Sequence, residues 1–511
     1  MLNHIMSCLR PPMDGRPLCA HFVGIGGTGM RALATVLMER GWQITGSDLQ
    51  PTAAQGLASR GVRVSTGHAS GNVPAEADLL VYSDAAPAEN SERQEGQRRG
   101  LMIRSYAELL GELAGESQTD GGHVAAIAGT HGKSTVTAMA AEILIRAGLD
   151  PTVICGAAPL NGNSAQHKVR CAMKANGPGR GTNLVHNSAK PLSETGGRHG
   201  LGKFTLLEAC EYRDHFLNLR PNLALLLNVE ADHFDWYRSL EQLQESYLRF
   251  ARQTSEDGLI IASQECDVAK RIGKVAGRQI VTFGFSRSAD WRATNLEHSL
   301  GRFRFDIVRH GQKLSHVTLA VAGRHNVLNA LAAAALGRHC GVSAQHIGQG
   351  LAAFRGLKRR VEVRQRWGGV PWIDDYAHHP TEVRAALATV RQMFPRRRIW
   401  CVFQPHQASR LAALLDELAA SLHNADRIAV ADVFRAREGS VQVGEATAAD
   451  LANLLEASGH EVLDEHHPSA IAGRLSNELQ PGDVLLTMGA GDLGKIFYEF
   501  HERLRRNCAV A

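Results

Sequence analysis

No run in this 511-residue chain approaches the ~18 consecutive apolar residues that a membrane-spanning helix needs. An α-helical membrane protein is therefore not expected, and no membrane partner either. A C-x-x-C pair is also missing. The nine cysteines (Cys8, Cys19, Cys155, Cys171, Cys210, Cys266, Cys340, Cys401, Cys508) are scattered and odd in number. That is the pattern of reduced thiols in a cytoplasmic compartment, not of a disulfide framework. Strong charge of one sign is lacking too. A formal net charge of +5 is small for this length and does not imply a nucleic-acid partner. The first residues hold only a short, interrupted apolar stretch. They read as an extension over residues 1–18, not as a signal peptide. No internal repeat is evident. What remains is an ordinary apolar content, 44%, which describes a soluble globular chain. The length is too great for one core and predicts two to four domains.

The richest segment is AIAGTHGKSTV, residues 126–136. A short apolar run ends in Gly129, Thr130, His131, Gly132, Lys133, Ser134 and Thr135, then continues into the helix-like MAAEILIRAG. Strand, glycine-rich loop, helix is the order that triphosphate chemistry requires. Backbone N–H groups and a helix N-terminus cradle phosphate, a lysine neutralises developing charge, and a hydroxyl holds Mg²⁺. The general G-x-x-x-x-G-K-[ST] spacing would put its first glycine at Ile127. The chain carries the shorter G-T-x-G-K-[ST] form instead.

A second glycine loop lies a hundred residues earlier. His21, Phe22 and Val23 lead into Gly24, Ile25, Gly26, Gly27, Thr28, Gly29 and Met30, then a helical run to Arg40 and the segment WQITGSD. This is G-x-G-x-x-G after a strand, and Asp48 stands about where a ribose-binding acid would. Alone, the loop suggests an NAD dehydrogenase. Hydride transfer has no use for Lys133 and Ser134, however. Two phosphate loops in one chain point to two phosphate-bearing ligands, a nucleotide-linked substrate and ATP.

Alternating strands and helices predict parallel, doubly wound sheets. Three α/β domains in series are expected. They are a Rossmann-like N-terminal domain over residues 1–120, a central P-loop ATPase-like domain over 121–355, and a C-terminal Rossmann-like domain over 356–511. Residues 115–122 (GESQTDGG) read as a linker. In the central domain Glu208 ends the strand FTLLE, and His233 follows the strand LALLLNV. Both fall at C-terminal strand ends, where open α/β sheets bind ligands. Ser134, Glu208 and His233 could together hold Mg²⁺ against the β- and γ-phosphates. Taken alone, His233 also fits a hydrogen-bonded histidine at a strand end.

Eight ordered segments carry a resemblance: HFVGIGGTGM, GSDL, GTHGKST, NVEADHFD, GRHNVLNALAA, DDYAHHPTEV, FQPHQASR and TMGAGDL. With them the chain resembles the Mur ligases over nearly all of its length. Only the N-terminal extension and residues 164–203 fall outside. DDYAHHPTE together with GIGGTGM points to the alanine-adding members. The resemblance implies that ATP phosphorylates the lactyl carboxylate of UDP-N-acetylmuramate and that L-alanine then attacks the acyl phosphate. It implies a monomer or homodimer with ATP and Mg²⁺ as cofactors. Gly24, Gly26, Gly27 and Gly29 would surround the diphosphate, with Asp48 and His68 at the uridine side. Lys133 would contact phosphate, and Ser134, Glu208 and His233 would serve the metal. His325, Asn326 and Asn329 would reach the adenine region, and Arg360 and Asp375 the nucleotide. Tyr376, His378 and Arg410 would approach the muramate and the amino acid, with Arg410 offering a bidentate grip on a carboxylate.

The chain departs from the family pattern in places. The acid-rich run usually written E-A-D-E-S-D is here Glu208, Ala209, Cys210, Glu211, Tyr212, Arg213. Asp84 follows Ser83 where a second serine is frequent, and Ala408 follows Gln407 in place of an aromatic. Residues 164–203 form a basic insertion. There Lys168, Arg170, Lys174, Arg180, Lys190, Arg198 and Lys203 face a single acid, Glu194. A surface loop is expected, and its loss over residues 168–200 should leave a folded protein. Three alternatives stand beside the alanine ligase. They are a ligase that returns recycled peptide to UDP-N-acetylmuramate, a nucleotide-sensing protein without turnover, and the dehydrogenase.

Overall fold

The computed structural model describes residues 16–50, 54–160, 190–367, 369–435 and 444–498. Most of the N-terminal extension and residues 161–189 of the insertion, with Lys168, Arg170, Lys174 and Arg180, lie outside the described residues.

The first sheet is formed by β1 (Cys19–Val23), β2 (Gln43–Asp48), β3 (Arg63–Thr66), β4 (Leu79–Tyr82) and β5 (Met102–Ser105). Its order is β3-β2-β1-β4-β5, all parallel. The central β1 is buried along its whole length, as a strand covered on both faces requires. Helix α1 (Thr28–Glu39) starts where the first glycine loop ends.

Helix α2 (Tyr106–Thr119) then runs through most of the stretch read as a linker. Ser105 and Glu108 form a capping box at its start, and Leu109, Leu110, Leu113 and Ala114 are buried. The polar, glycine-containing residues are the last turns of this helix, so residues 115–122 are a linker only beyond Thr119. One apolar face sufficed to hold the helix, because most helical stability comes from tertiary packing.

The second sheet has ten strands in the order β15-β14-β13-β12-β11-β10-β6-β9-β7-β8. They are β6 (His123–Ala128), β7 (Thr152–Ile154), β8 (Gly197–Arg198), β9 (Phe204–Ala209), β10 (Leu223–Leu226), β11 (Leu259–Ser263), β12 (Gln279–Gly284), β13 (Trp291–Ser299), β14 (Arg302–Arg309) and β15 (Gln312–Ala322). Helix α3 (Lys133–Arg146) follows β6, and α4 (His325–His339) follows β15. The antiparallel run β13-β14-β15 was not anticipated. It departs from the strand-helix alternation on which the sequence reading rested.

The third sheet, β16-β17-β21-β18-β19-β20, contains β16 (Glu362–Trp367), β17 (Val370–Asp375), β18 (Ile399–Phe403), β19 (Arg427–Val430), β20 (Val462–Leu463) and β21 (Val484–Met488). Only β16 is antiparallel to its neighbour. Helix α5 (Pro380–Met393) follows β17 and carries Pro380 in its first turn, where a missing N–H costs nothing. This three-sheet α/β architecture is the expected fold class.

The C-terminal part of the insertion corrects an expectation. Residues 190–203 are not a free surface loop. Arg198 in β8 is 1% exposed. Its guanidinium donates to the Pro151 carbonyl, to the Asp150 carboxylate, and to the Lys190 carbonyl at 2.8 Å. Thr195 Oγ1 lies 2.6 Å from Thr35 Oγ1 of α1, and Lys190 pairs with Glu39. A methyl group on Gly197 would collide with the Ala32 carbonyl oxygen. This segment therefore packs directly on α1. One buried cluster also runs from Phe22, Leu33 and Val36 to Leu207, Leu226 and Tyr247, so the first two sheets share a core.

Candidate active site

The loop between β6 and α3 is held in a conformation that its glycines permit. Gly132 has φ +83° and Gly129 φ +151°, backbone that side chains rarely adopt. Space is short as well. A methyl on Gly129 would meet Leu227 Cβ at 2.8 Å, and one on Gly132 would meet Asn329 Oδ1 at 2.8 Å. The next strand's exit pins the loop. Asn228 accepts from the Thr130 N–H through its carbonyl at 3.1 Å and from the His131 N–H through its side chain at 2.7 Å. Thr130 Oγ1 accepts from the Glu230 N–H at 2.9 Å. The α3 N-terminus is thereby presented as an anion site.

Lys133 Nζ donates to the Gly129 and Thr130 carbonyls at 2.6 and 3.2 Å and to both oxygens of Glu211 at 2.9 and 3.2 Å. Burial opposes the ammonium charge, but the Glu211 carboxylate outweighs it and raises the Lys133 pKa. Glu211 is held below the usual carboxylate range against its own burial, by Lys133 and then His233. Ser134 Oγ donates to Glu208 Oε1 at 3.0 Å, and the Gly156 N–H donates to Glu208 Oε2 at 2.6 Å. His233 Nε2 lies 3.6 Å from Glu211 Oε1. Ser134 and Glu208 are thus brought together, and the group beside His233 is Glu211. Cys210, standing in place of an acid, has its thiol pushed up to about 12, chiefly by burial. It offers no negative charge at neutral pH. Asp84, the other departure, pairs with His215.

A cavity of about 850 Å³ opens beside the loop, and His131, Gly132 and Thr135 line it. His325, Asn326, Asn329, Arg360 and Asp375 line it from farther along the chain. Asn326 Nδ2 donates to the Ala322 carbonyl at 2.6 Å, and Asn329 donates to Asn326 at 3.0 Å. His325 is pushed down to about 4 by burial and then by Arg360. Asp375 accepts the N–H groups of Val361 and Ala377 at 2.6 and 2.7 Å, and burial lifts it to about 6.

The third sheet closes the opposite wall. The sequence reading had assigned Arg410 to a substrate carboxylate. Here its Nε and Nη2 donate to Asp232 Oδ1 at 2.8 and 2.6 Å, and Nη1 lies 2.7 Å from His406 Nδ1. His378 has Nδ1 3.0 Å from the Tyr376 carbonyl, and burial pushes it down to about 4. Its ring meets Tyr376 edge-on at 5.4 Å, and the Arg359 and Arg360 guanidinium groups lie 5.0 and 5.2 Å from the Tyr376 ring centre. Glu382 on α5 lies 3.5 Å from Arg360 and 3.4 Å from His131. Burial disfavours a charge on His131, yet Glu230 and Glu382 push it up to about 9.

In the first sheet, Asp48 Oδ2 accepts from the Gly26 N–H at 2.8 Å, so Asp48 shapes the glycine loop of Gly24, Gly26, Gly27 and Gly29. His68 Nδ1 is 2.8 Å from Ser47 Oγ. Behind both sits Glu92, 0% exposed, accepting from Ser47, Asn72 and the Ala69 N–H. Sequence reasoning missed Glu92, Glu230, Asp232, His379, Thr381 and Glu382. The last three lie inside DDYAHHPTEV, which was a usable signal. Glu92 had none.

Sequence models for three units match in order. They are the Mur ligase family catalytic domain over residues 20–118, the Mur ligase middle domain over 127–337 and the Mur ligase glutamate ligase domain over 359–491. The UDP-N-acetylmuramate–L-alanine ligase of Salinibacter ruber is 37% identical over 98% of this chain and 98% of its own. The chain belongs to the Mur ligase family. A relative with the same name from Chlorobium phaeobacteroides is 36% identical, covering 96% of this Mur ligase and 99% of its own length. Among solved structures, the UDP-N-acetylmuramate-alanine ligase of Thermotoga maritima shares the Mur ligase fold with a TM-score of 0.76 at 24% identity, over 96% and 100% of the two chains. A murein peptide ligase from Psychrobacter arcticus gives 0.67 at 25% identity, over 95% and 98%.

Proposed function

We propose that this Mur ligase joins L-alanine to the lactyl carboxylate of UDP-N-acetylmuramate, converting ATP to ADP and phosphate through an acyl phosphate. The observation that carries this reading is the full-length similarity to alanine ligases, with a lysine-bearing phosphate loop facing a cavity of nucleotide size. A carboxylate does not react with an amine at neutral pH. Transfer of the γ-phosphoryl group to its oxygen creates a leaving group, and the amine nitrogen then displaces phosphate.

Each side chain has a share in this. The N–H groups at the start of α3 and Lys133 meet the negative charge of the phosphates. Glu211 keeps Lys133 charged and aimed along the loop. The Ser134 hydroxyl and the Glu208 carboxylate, 3.0 Å apart, are the hard oxygen donors that suit Mg²⁺, with His233 and Glu211 beside them. When bound, that ion would offset charge on the transferring phosphoryl group. His325, Asn326 and Asn329 face the base, and Arg360 and Asp375 bound the nucleotide from the third sheet. His378 is neutral at pH 7. Its Nδ1–H points to the Tyr376 carbonyl, which leaves Nε2 a hydrogen-bond acceptor that can orient the alanine amine. Arg410 acts by holding Asp232, which draws the third sheet over the site and excludes water from the acyl phosphate. The glycine loop at Gly24 to Gly29, with Asp48 and His68, takes the UDP end.

A coupled phosphate-release assay tests this. Phosphate should appear with ATP, UDP-N-acetylmuramate and L-alanine together, and not when any one is left out. Release with a tripeptide acceptor in place of alanine would establish the peptide-recycling reading instead. No release with either acceptor would leave a nucleotide sensor.

A further inference from the structure

The turn that carries His378 is the turn that seats on the phosphate loop. His379 caps α5, accepting from the Thr381 N–H at 3.3 Å, and its Nε2 lies 3.2 Å from the Ala231 carbonyl of the middle unit. Thr381 Oγ1 donates to Glu230 at 2.6 Å. Glu382 stands in the first helical turn, where the helix dipole favours an acid. Its two oxygens face opposite ways. Oε1 lies 3.4 Å from His131 Nδ1 and 3.5 Å from Arg360 Nη1. Oε2 accepts from the His378 N–H at 3.3 Å and lies 3.4 Å from His378 Nδ1.

Each end of this carboxylate meets a ring whose state is set by its neighbours. His131 has Glu382 against Nδ1 and Glu230 against Nε2, the latter at 3.5 Å. A ring with a carboxylate at both nitrogens is a cation with two N–H groups. The His131 backbone is fixed in turn, since its N–H donates to Asn228 at 2.7 Å. Side chains of His131 and Glu382 are each only 12% exposed, so solvent ions screen their attraction little. At the other end, the Tyr376 carbonyl and Glu382 Oε2 both face His378 Nδ1. Two acceptors keep the hydrogen on Nδ1 and the lone pair on Nε2.

We propose that Glu382 is a positioning residue that couples the nucleotide site to the amine subsite. Its hold on His131 of the phosphate loop fixes its second oxygen on His378, so productive use of L-alanine depends on how the third unit seats. This rests on the ligase reading above, in which His378 orients the alanine amine. Glu382 touches no reacting atom in this role. Neutralising it leaves Lys133, Ser134 and Glu208 in place, so phosphoryl transfer continues while capture of the acyl phosphate by alanine suffers.

The test gives the full chain ATP, Mg²⁺ and UDP-N-acetylmuramate with either L-alanine or hydroxylamine. Hydroxylamine is a strong nucleophile that needs no side-chain pocket. Its nitrogen bonds to the acyl carbon, the bond to phosphate breaks, a proton goes to solvent and a hydroxamate remains. The ratio of kcat/KM for alanine to that for hydroxylamine cancels any shared loss of folded protein or of phosphoryl transfer, which a merely structural role would cause. Glu382→Gln should lower this ratio by about 10-fold, within the range by which contacting residues couple. His131→Gln should lower it by a similar factor, and the double variant should fall no further than the worse single. A ratio unchanged in Glu382→Gln, or a double variant whose fall is the product of the singles, would overturn the coupling and leave the ligase reading standing. A wild-type chain that forms no amide with alanine would overturn both.

Discussion

Arg410 and Asp232 form a nearly closed ion pair across the seam between the second and third sheets, with side chains only 3% and 6% exposed. Removing one partner strands the other charge away from water, at a cost of about 3–5 kcal/mol. Asp232→Leu and Arg410→Met should each lower the thermal unfolding midpoint sharply. The double variant should lose less than the two singles combined, because two apolar groups leave no orphan charge. Strictly additive losses in a double-mutant cycle would mean that the pair does not couple the two units.

Lys133→Ala should cut turnover by about 10²–10³-fold or more, as loss of one preorganised charge at a transferring phosphoryl group does. Affinity for UDP-N-acetylmuramate, measured by calorimetry, should stay close to wild type, since the glycine loop assigned to it is in the first sheet. The same change leaves the buried Glu211 carboxylate without its ammonium partner. Adding Glu211→Gln should therefore recover stability and not activity. A large loss of UDP-substrate affinity in Lys133→Ala would show that the two glycine loops have been assigned the wrong way round.

Glu92 should make the first unit sensitive to acid. Burial opposes its ionisation, but hydrogen bonds from His21, Ser47 and Asn72 outweigh that and hold its pKa at about 2, against 4.5 in a free chain. A carboxyl with a depressed folded pKa adds stability above its unfolded value, and that stability is lost as pH falls toward the folded one. At neutral pH the difference is worth about 3 kcal/mol. Glu92→Gln should thus be clearly less stable than wild type at pH 7, and the gap should shrink as pH drops from about 4.5 towards 2. A gap that stays constant over that window in denaturant titrations would exclude the charge as its source.

Arg198→Met should destabilise the protein by about 2–4 kcal/mol, because it leaves the Pro151 and Lys190 carbonyls unpaired and Asp150 without its partner. This replaces the expectation that deletion over 168–200 would be harmless, since that deletion removes Arg198 and Thr195 together. Wild-type stability of Arg198→Met would restore the view of residues 190–203 as dispensable.

Much of the fold was legible because parallel strands buried on both faces are continuous apolar runs, as in HVAAIA and FTLLEA, and because glycine loops punctuate them. The phosphate loop was legible for a local reason: Gly129, Gly132, Lys133 and Ser134 are adjacent in sequence and act together. Partnerships between distant residues were not legible. Nothing near Arg410 announces Asp232, 178 residues away, and nothing near Lys133 announces Glu211. The helix over residues 106–119 was cut short in the reading because its exposed end is polar and holds Gly115. The strands β13 to β15 were missed because their return is antiparallel, whereas the expected repeat was strand and helix. Low aliphatic content hid the packing of residues 190–203. What fixes that segment is one buried guanidinium and a glycine pressed against backbone, neither of which a hydropathy pattern registers.

The contact of Gly197 with Ala32, and the cluster continuous from Phe22 to Tyr247, have a mechanical consequence. With no room for even a methyl group between them, the first two units form a single rigid bench. The glycine loop at Gly24 to Gly29 and the phosphate loop at Gly129 to Ser134 then keep a fixed spacing, like two jaws bolted to one plate. Any widening of the nucleotide cavity has to come from its other wall, the one carrying Arg360, Asp375 and Glu382. The two glycine loops are thus gauged against each other before the third unit arrives, and that unit completes the cavity with Arg360, Asp375 and Glu382.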